Sequence, residues 1–100
     1  MTRTALGYRL APTLRRDVKL LTEYMMAALR RATYEIFENG TYYGEIPGLP
    51  GVYANADTLE ACREQLREVL EGWIVLGLRL GHRLPELDGI SLEVRTGAAT

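Results

Sequence analysis

The 100-residue chain carries one histidine, His82, and one cysteine, Cys62. An acid–base histidine pair, an internal disulfide and a two-thiol zinc site each lack their second member. His82 stands between Gly81 and Arg83 in a stretch that reads as loop, and is taken as an exposed polar residue. Cys62 falls within an apolar helical stripe, away from the electropositive, accessible setting that makes a thiolate reactive. Carboxylates are the reactive groups present in number. Glu35, Glu45 and Glu93 fall on three anticipated strands, the nearest approach in this chain to an acidic cluster for two-metal hydrolysis. Alternation, however, puts Phe37 and Tyr43 on the same face, and a mixed aromatic and acidic face fits binding better than catalysis. Glu60, Glu64, Glu68 and Glu71 share a helix face with Arg63 and Arg67, a pattern suited to weak surface ion pairs. The turn Pro47-Gly48-Leu49-Pro50-Gly51 has no following Gly-Lys-Ser/Thr and leads into a strand, so it is not a phosphate loop. Tyrosine-rich strands can stack bases, but acidic surroundings oppose the phosphate contacts that nucleic acid requires. No catalytic residue, cofactor or metal site is expected.

The elements that position these residues follow from periodicity. Residues 1–12 alternate weakly up to Pro12 and are left as an arm. From Thr13, a plausible N-cap, Leu14, Val18, Leu21, Met25, Ala28 and Leu29 recur at helical spacing opposite Arg16, Lys19, Glu23 and Arg30. After Arg31 the period becomes two. Thr33, Glu35 and Phe37 face one way, Tyr34 and Ile36 the other, and Asn39-Gly40 tolerates the positive φ of a hairpin turn. Strands are expected over residues 32–38, 41–46 and 52–55, the last two joined by the Pro/Gly turn. Asp57 or Thr58 starts a second helix, with Asp57 and Glu60 spaced as in a capping box. Leu59, Cys62, Leu66, Val69, Leu70 and Trp73 make its core stripe. Past Gly72 the pattern is read as broken, leaving Ile74, Val75 and Leu78 in need of cover from the tail or another subunit. Gly81 and Pro85 end the helix and its connector, and Ile90, Leu92 and Val94 alternate as a final strand. The fold class is α+β: a three-stranded antiparallel meander, a long helix packed on it and a short final strand, preceded by an N-terminal amphipathic helix. Residues 1–31 are assigned to arm and helix, 32–95 to the main domain and 96–100 to a frayed tail.

Composition is that of a small globular protein, 47% hydrophobic and 25% charged, with no signal-peptide pattern and no apolar span of membrane length. A cytoplasmic location and no membrane association are expected. A chain this short buries a limited share of its surface, so a homo-oligomer, dimer or tetramer, is expected too, with Leu14, Val18, Leu21, Met25, Ile74, Val75 and Leu78 at its interface. Charge is unevenly divided. Residues 1–31 hold seven basic groups against Asp17 and Glu23, whereas residues 32–100 hold five arginines against eleven carboxylates. An acidic domain repels nucleic acid and attracts basic proteins.

The run from Tyr42 to Trp73 resembles the HicB family of antitoxins. The marks are Asn39-Gly40 before paired aromatics, Glu45-Ile46-Pro47, Leu49-Pro50-Gly51, Asp57-Thr58-Leu59-Glu60 and the Trp73 region, within a likeness spanning Ala32 to Val94. The helix ahead of the first strand resembles a subset of that family. The resemblance implies a partial RNase H-like fold without nuclease activity, which binds and inhibits a small basic HicA-type toxin that cleaves messenger RNA. It carries over no catalytic residues. The family commonly adds a C-terminal DNA-binding segment; this chain ends soon after the last strand, which puts DNA binding in doubt, and the basic helix over residues 13–31, the one substitute, lacks the turn and recognition helix of a helix-turn-helix. The residues themselves nominate a partner surface: Glu35, Tyr43, Glu45 and Tyr53 on the exposed sheet face, with Glu64, Glu68 and Glu71 on the helix. The competing expectation buries the tyrosines under the N-terminal helix or in a homodimer. Two other functions stay open, a stand-alone oligomeric scaffold without a toxin and a divergent RNase H-like hydrolase.

Overall fold

The computed structural model describes residues 12–92. Its elements are α1 (Pro12–Arg30), β1 (Thr33–Ile36), β2 (Tyr42–Glu45), β3 (Tyr53–Ala56) and α2 (Leu59–Arg79). The strands form an antiparallel meander in the order β1-β2-β3, as alternation and turn chemistry predict.

The turns follow from their residues. Phe37 and Gly40 close a tight turn, Gly40 N–H to Phe37 carbonyl at 2.9 Å, and Phe37 N–H bonds the Thr41 carbonyl at 2.8 Å. Gly40 alone takes positive φ, +88°, so the loop has three residues with glycine at the left-handed position, not a two-residue Asn-Gly turn. Between β2 and β3 run two successive turns. Ile46-Pro47-Gly48-Leu49 and Leu49-Pro50-Gly51-Val52 each place Pro second and a glycine near φ +90° third, the signature of type II. Ile46, Leu49 and Val52 point into the core, and Trp73 Nε1 donates to the Pro50 carbonyl at 3.1 Å, tying the loop to α2.

Thr58, not Asp57, caps α2: its Oγ1 accepts from the Ala61 N–H at 3.0 Å. The helix ends at Gly81, φ +77°, where the His82 and Gly81 N–H groups reach the Gly77 and Leu78 carbonyls. Its buried residues are Cys62, Leu66, Leu70, Ile74 and Gly77. Steps of four residues advance about 40° around a helix, so this stripe winds from the sheet toward α1 and the segment after α2. That corrects the expected break at Gly72. Ile74, 1% exposed, is a core residue rather than an oligomer contact, and Leu78 is half-buried against the same core.

The single core also takes in Tyr24, Ala27 and Ala28 of α1 and Leu84, Leu87 and Leu92 after α2. The inward face of α1 is thus centred on Tyr24, with Leu21 and Met25 half-buried at its margin and Val18 exposed. Leu21 and Met25, expected at an oligomer interface, pack in part against this chain's own core. Tyr24 Oη donates to the Pro85 carbonyl at 2.6 Å, and Asp88 bridges Arg30 and Arg31. Asp88 (φ +49°) and Gly89 (φ +78°) turn the chain between Leu87 and Ile90, which form a lone β-bridge. Ser91 and Leu92 are not strand, so the expected final strand does not start at Ile90; residues 93–95, the arm 1–11 and the tail 96–100 lie outside the described residues, as does the Leu14 side chain.

Candidate protein-interaction face

One face of the sheet packs on α2. Gly44 and Ala54 are buried there beside Cys62, with Tyr34, Tyr42 and Ala56 half-buried around them. The register pairs Tyr34 with Gly44 and Gly44 with Ala54. Gly44 is required by close approach: a Cβ there would stand 2.6 Å from the Tyr34 ring and 3.3 Å from Cys62 Sγ.

Because side chains alternate across a strand, residues next to these point the other way. Glu35 pairs with Tyr43 and Tyr43 with Asn55; Thr33 pairs with Glu45 and Glu45 with Tyr53. No described element covers this second face, so the expectation that α1 roofs the tyrosines is not met. Phe37 stacks on Tyr43 with ring centroids 5.2 Å apart and 14° between planes; Tyr43 stacks on Tyr53 at 6.2 Å and 27°. The three rings make a diagonal strip from Phe37, just past the end of β1, through β2 to β3, with Phe37 40% and Tyr53 57% exposed. Tyr43 Oη donates to Glu45 Oε1 at 2.9 Å. That hydrogen bond to a carboxylate is the main reason the phenol titrates above its ordinary value. Asn55 steadies the strip from below, its Nδ2 donating to Thr41 Oγ1 and to the Tyr42 carbonyl.

Glu35, Tyr43, Glu45 and Tyr53 therefore lie together on one open surface. Phe37 belongs with them and is missing from the nominated set, although the alternation Thr33-Glu35-Phe37 carries the signal. Glu64, Glu68 and Glu71 do not join them. They project from the side of α2 averted from the sheet, where Arg67 bonds both Glu64 and Glu71 (2.6 and 2.9 Å) and is thereby held more firmly protonated. The nominated partner surface is split across the two outer faces of a two-layer structure.

From Ala32 to Cys62 the chain holds no lysine or arginine, while Glu35, Glu38, Glu45, Asp57 and Glu60 fall within it. The strands of the open sheet face thus present aromatic and acidic side chains and no lysine or arginine of their own. A UPF0150-like family model matches residues 23–85, from the middle of α1 to the end of the connector after α2. The chain belongs to the UPF0150-like family. A solved structure similar to it is that of TTHA0281 from Thermus thermophilus: 39% identity, TM-score 0.71, with 75% of this chain and 94% of that one covered. No curated protein matches the chain significantly.

Among the described residues, the remaining reactive groups of this UPF0150-like chain lie away from that face. Burial pushes the Cys62 thiol up, and its Sγ lies 3.7 Å from the Ala54 carbonyl. Among the described residues no group of three or more His, Cys, Asp or Glu could hold a metal ion, and no helix is long and apolar enough to cross a membrane. Glu93 lies outside them. A solvent-open depression of about 400 Å³ beside Leu29, Tyr34 and Arg63 mixes charges of both signs. Val75, Leu76 and Leu80 are 50–59% exposed at the end of α2; Leu76 and Leu80 are absent from the residues expected there.

Proposed function

We propose that this chain is an antitoxin of the HicB type, a non-enzymatic module that binds a small basic, HicA-type mRNA-cleaving toxin and neutralises it by occlusion. The observation that carries the reading is the open sheet face, where three stacked rings run diagonally with Glu35 and Glu45 along one side and no lysine or arginine occurs from residue 32 to 62. Rings supply rigid contact area, and the carboxylates supply the potential that a basic RNA-binding surface seeks. Blocking such a surface needs area and charge rather than reactive atoms. The site of action is the cytoplasm, where messenger RNA is exposed to the toxin.

The test is co-expression with a small basic HicA-type toxin, taken from a neighbouring reading frame where one encodes it. Growth should be rescued and the two chains should copurify, and Glu45→Lys should abolish both without lowering the melting temperature. No rescue by the wild-type chain would sink the reading. A second reading, an oligomeric scaffold without a toxin, is favoured by the exposed apolar end of α2 at Val75, Leu76 and Leu80. A monomeric mass in solution counts against that second reading.

A further inference from the structure

The acidic and aromatic groups of the open sheet face are not merely neighbours; they are arranged around one another. Each carboxylate stands beside a ring on the adjacent strand, Glu35 beside Tyr43 and Glu45 beside Tyr53, at the separation where cross-strand side chains touch. Glu45 is further held by the Tyr43 hydroxyl through Oε1, which leaves Oε2 as the oxygen available to an outside donor. The adjoining ring of Tyr53 is more than half exposed. The basic residues nearest in sequence are spoken for or averted: Arg31 is bound to Asp88, and Arg63 is carried by α2 beyond the opposite face of the sheet.

We propose, resting on the antitoxin reading, that the partner is recognised through arginine, whose guanidinium lies on the Tyr53 ring and donates to the Glu45 carboxylate. A planar guanidinium can stack on a ring face while its N–H fork reaches a carboxylate at the edge. A lysine ammonium is a compact, strongly hydrated point charge that gains less from such a pairing. The Tyr43 hydroxyl acts as a positioning group, since it orients Glu45 without facing the guanidinium itself.

The experiment uses the full chain labelled for NMR and two blocked peptides of equal length and charge, alternating glycine with arginine or glycine with lysine. The arginine peptide should shift resonances of Phe37, Tyr43, Glu45 and Tyr53 and bind about two- to fivefold more tightly than the lysine peptide at the same ionic strength. Tyr53→Leu, which keeps apolar area but removes the ring, should erase that preference. Tyr43→Phe, which keeps the ring but frees Glu45, should reduce it, and Glu86→Gln should leave it unchanged. Equal binding of the two peptides, no binding at millimolar peptide, or shifts confined to α2 would each overturn the proposal. Concentration-dependent shifts on α1 and the sheet without peptide would overturn it too, by making a second copy the occupant. The two readings fail separately. A toxin neutralised by a chain that does not prefer arginine refutes only this inference, whereas an arginine preference without any neutralised toxin refutes only the antitoxin reading.

Discussion

Substituting Gly44 with alanine reverses the sign that glycine chemistry alone would give. Gly44 does not take positive φ, so a side chain is compatible with its backbone. Replacing glycine by alanine at such a site stabilises by about 0.4–1 kcal/mol, because the unfolded chain loses freedom. Here the new Cβ would sit 2.6 and 2.7 Å from Tyr34 Cε1 and Cδ1 and 3.3 Å from Cys62 Sγ. Carbon atoms pack at roughly 3.5–4.0 Å, so the ring must move by about an ångström, and the buried Cys62 gives it no room on the inner side. Overpacking of this kind costs about 1–3 kcal/mol. The net expectation is a loss of roughly 1–2 kcal/mol, and each kcal/mol lowers the melting temperature by about 4–8 °C in a domain of this size. Thermal and urea melts of Gly44→Ala, Tyr34→Ala and the double variant measure it. With Tyr34 truncated, Gly44→Ala should become neutral or stabilising, a coupling of at least about 1 kcal/mol. A single variant as stable as the parent, or a double variant with no coupling, refutes the reasoning that Gly44 is set by the Tyr34 ring.

Tyr24→Phe removes the hydrogen bond that joins α1 to the Pro85 carbonyl and should cost about 0.5–1.5 kcal/mol in a urea melt; an unchanged midpoint would show that water replaces the hydroxyl without loss. Asp88 is held below the ordinary carboxylate range, first by its hydrogen bond to Arg31 and then by that to Arg30. A depressed folded-state pKa stabilises above the unfolded value, near 3.8, and the contribution is lost as pH falls through the folded one. Asp88→Asn should therefore be less stable than the parent at neutral pH, with the gap closing in acid; a gap that is constant with pH refutes the pairing. The Tyr43 phenol titrates high chiefly because it donates to Glu45, so Glu45→Gln should bring its alkaline absorbance transition down toward the ordinary tyrosine range, and no movement would place that hydroxyl elsewhere.

Much of the fold is legible in the sequence because its determinants are local. The two Pro-Gly pairs each set a type II turn by dihedral preference alone, and the alternation from Thr33 to Phe37 assigns both faces of β1 correctly. The stripe Cys62-Leu66-Leu70 names the inner face of α2. Misreadings arise where burial is decided by distant chain. Ile74 reads as surplus because its azimuth departs from that of Cys62, yet the stripe rotates onto cover from α1 and Leu84. Tyr24 does not stand out because its hydroxyl partner lies 61 residues away. The Asp88-Gly89 pair between Leu87 and Ile90 is a turn signal in plain view, and giving it weight moves the start of any final strand past Ile90.

The amino-acid sequence alone shows one histidine, one cysteine and a stretch from residue 32 to 62 without lysine or arginine. It also determined which residues share a strand face, since that depends only on the two-residue period of the backbone. Which of two acidic surfaces is joined to exposed aromatic rings depends on the packing of helix on sheet. Helix α2 covers the Gly44 and Ala54 side of the sheet, which leaves Tyr43, Tyr53 and Phe37 facing water beside Glu35 and Glu45 and sends Glu64, Glu68 and Glu71 to the far side. At the centre of the covered side Gly44 and Ala54 let α2 approach closely, with Tyr34 and Tyr42 packed at its margin, whereas Tyr43 stands at the centre of the other side. Small residues placed the helix, and the helix selected the face.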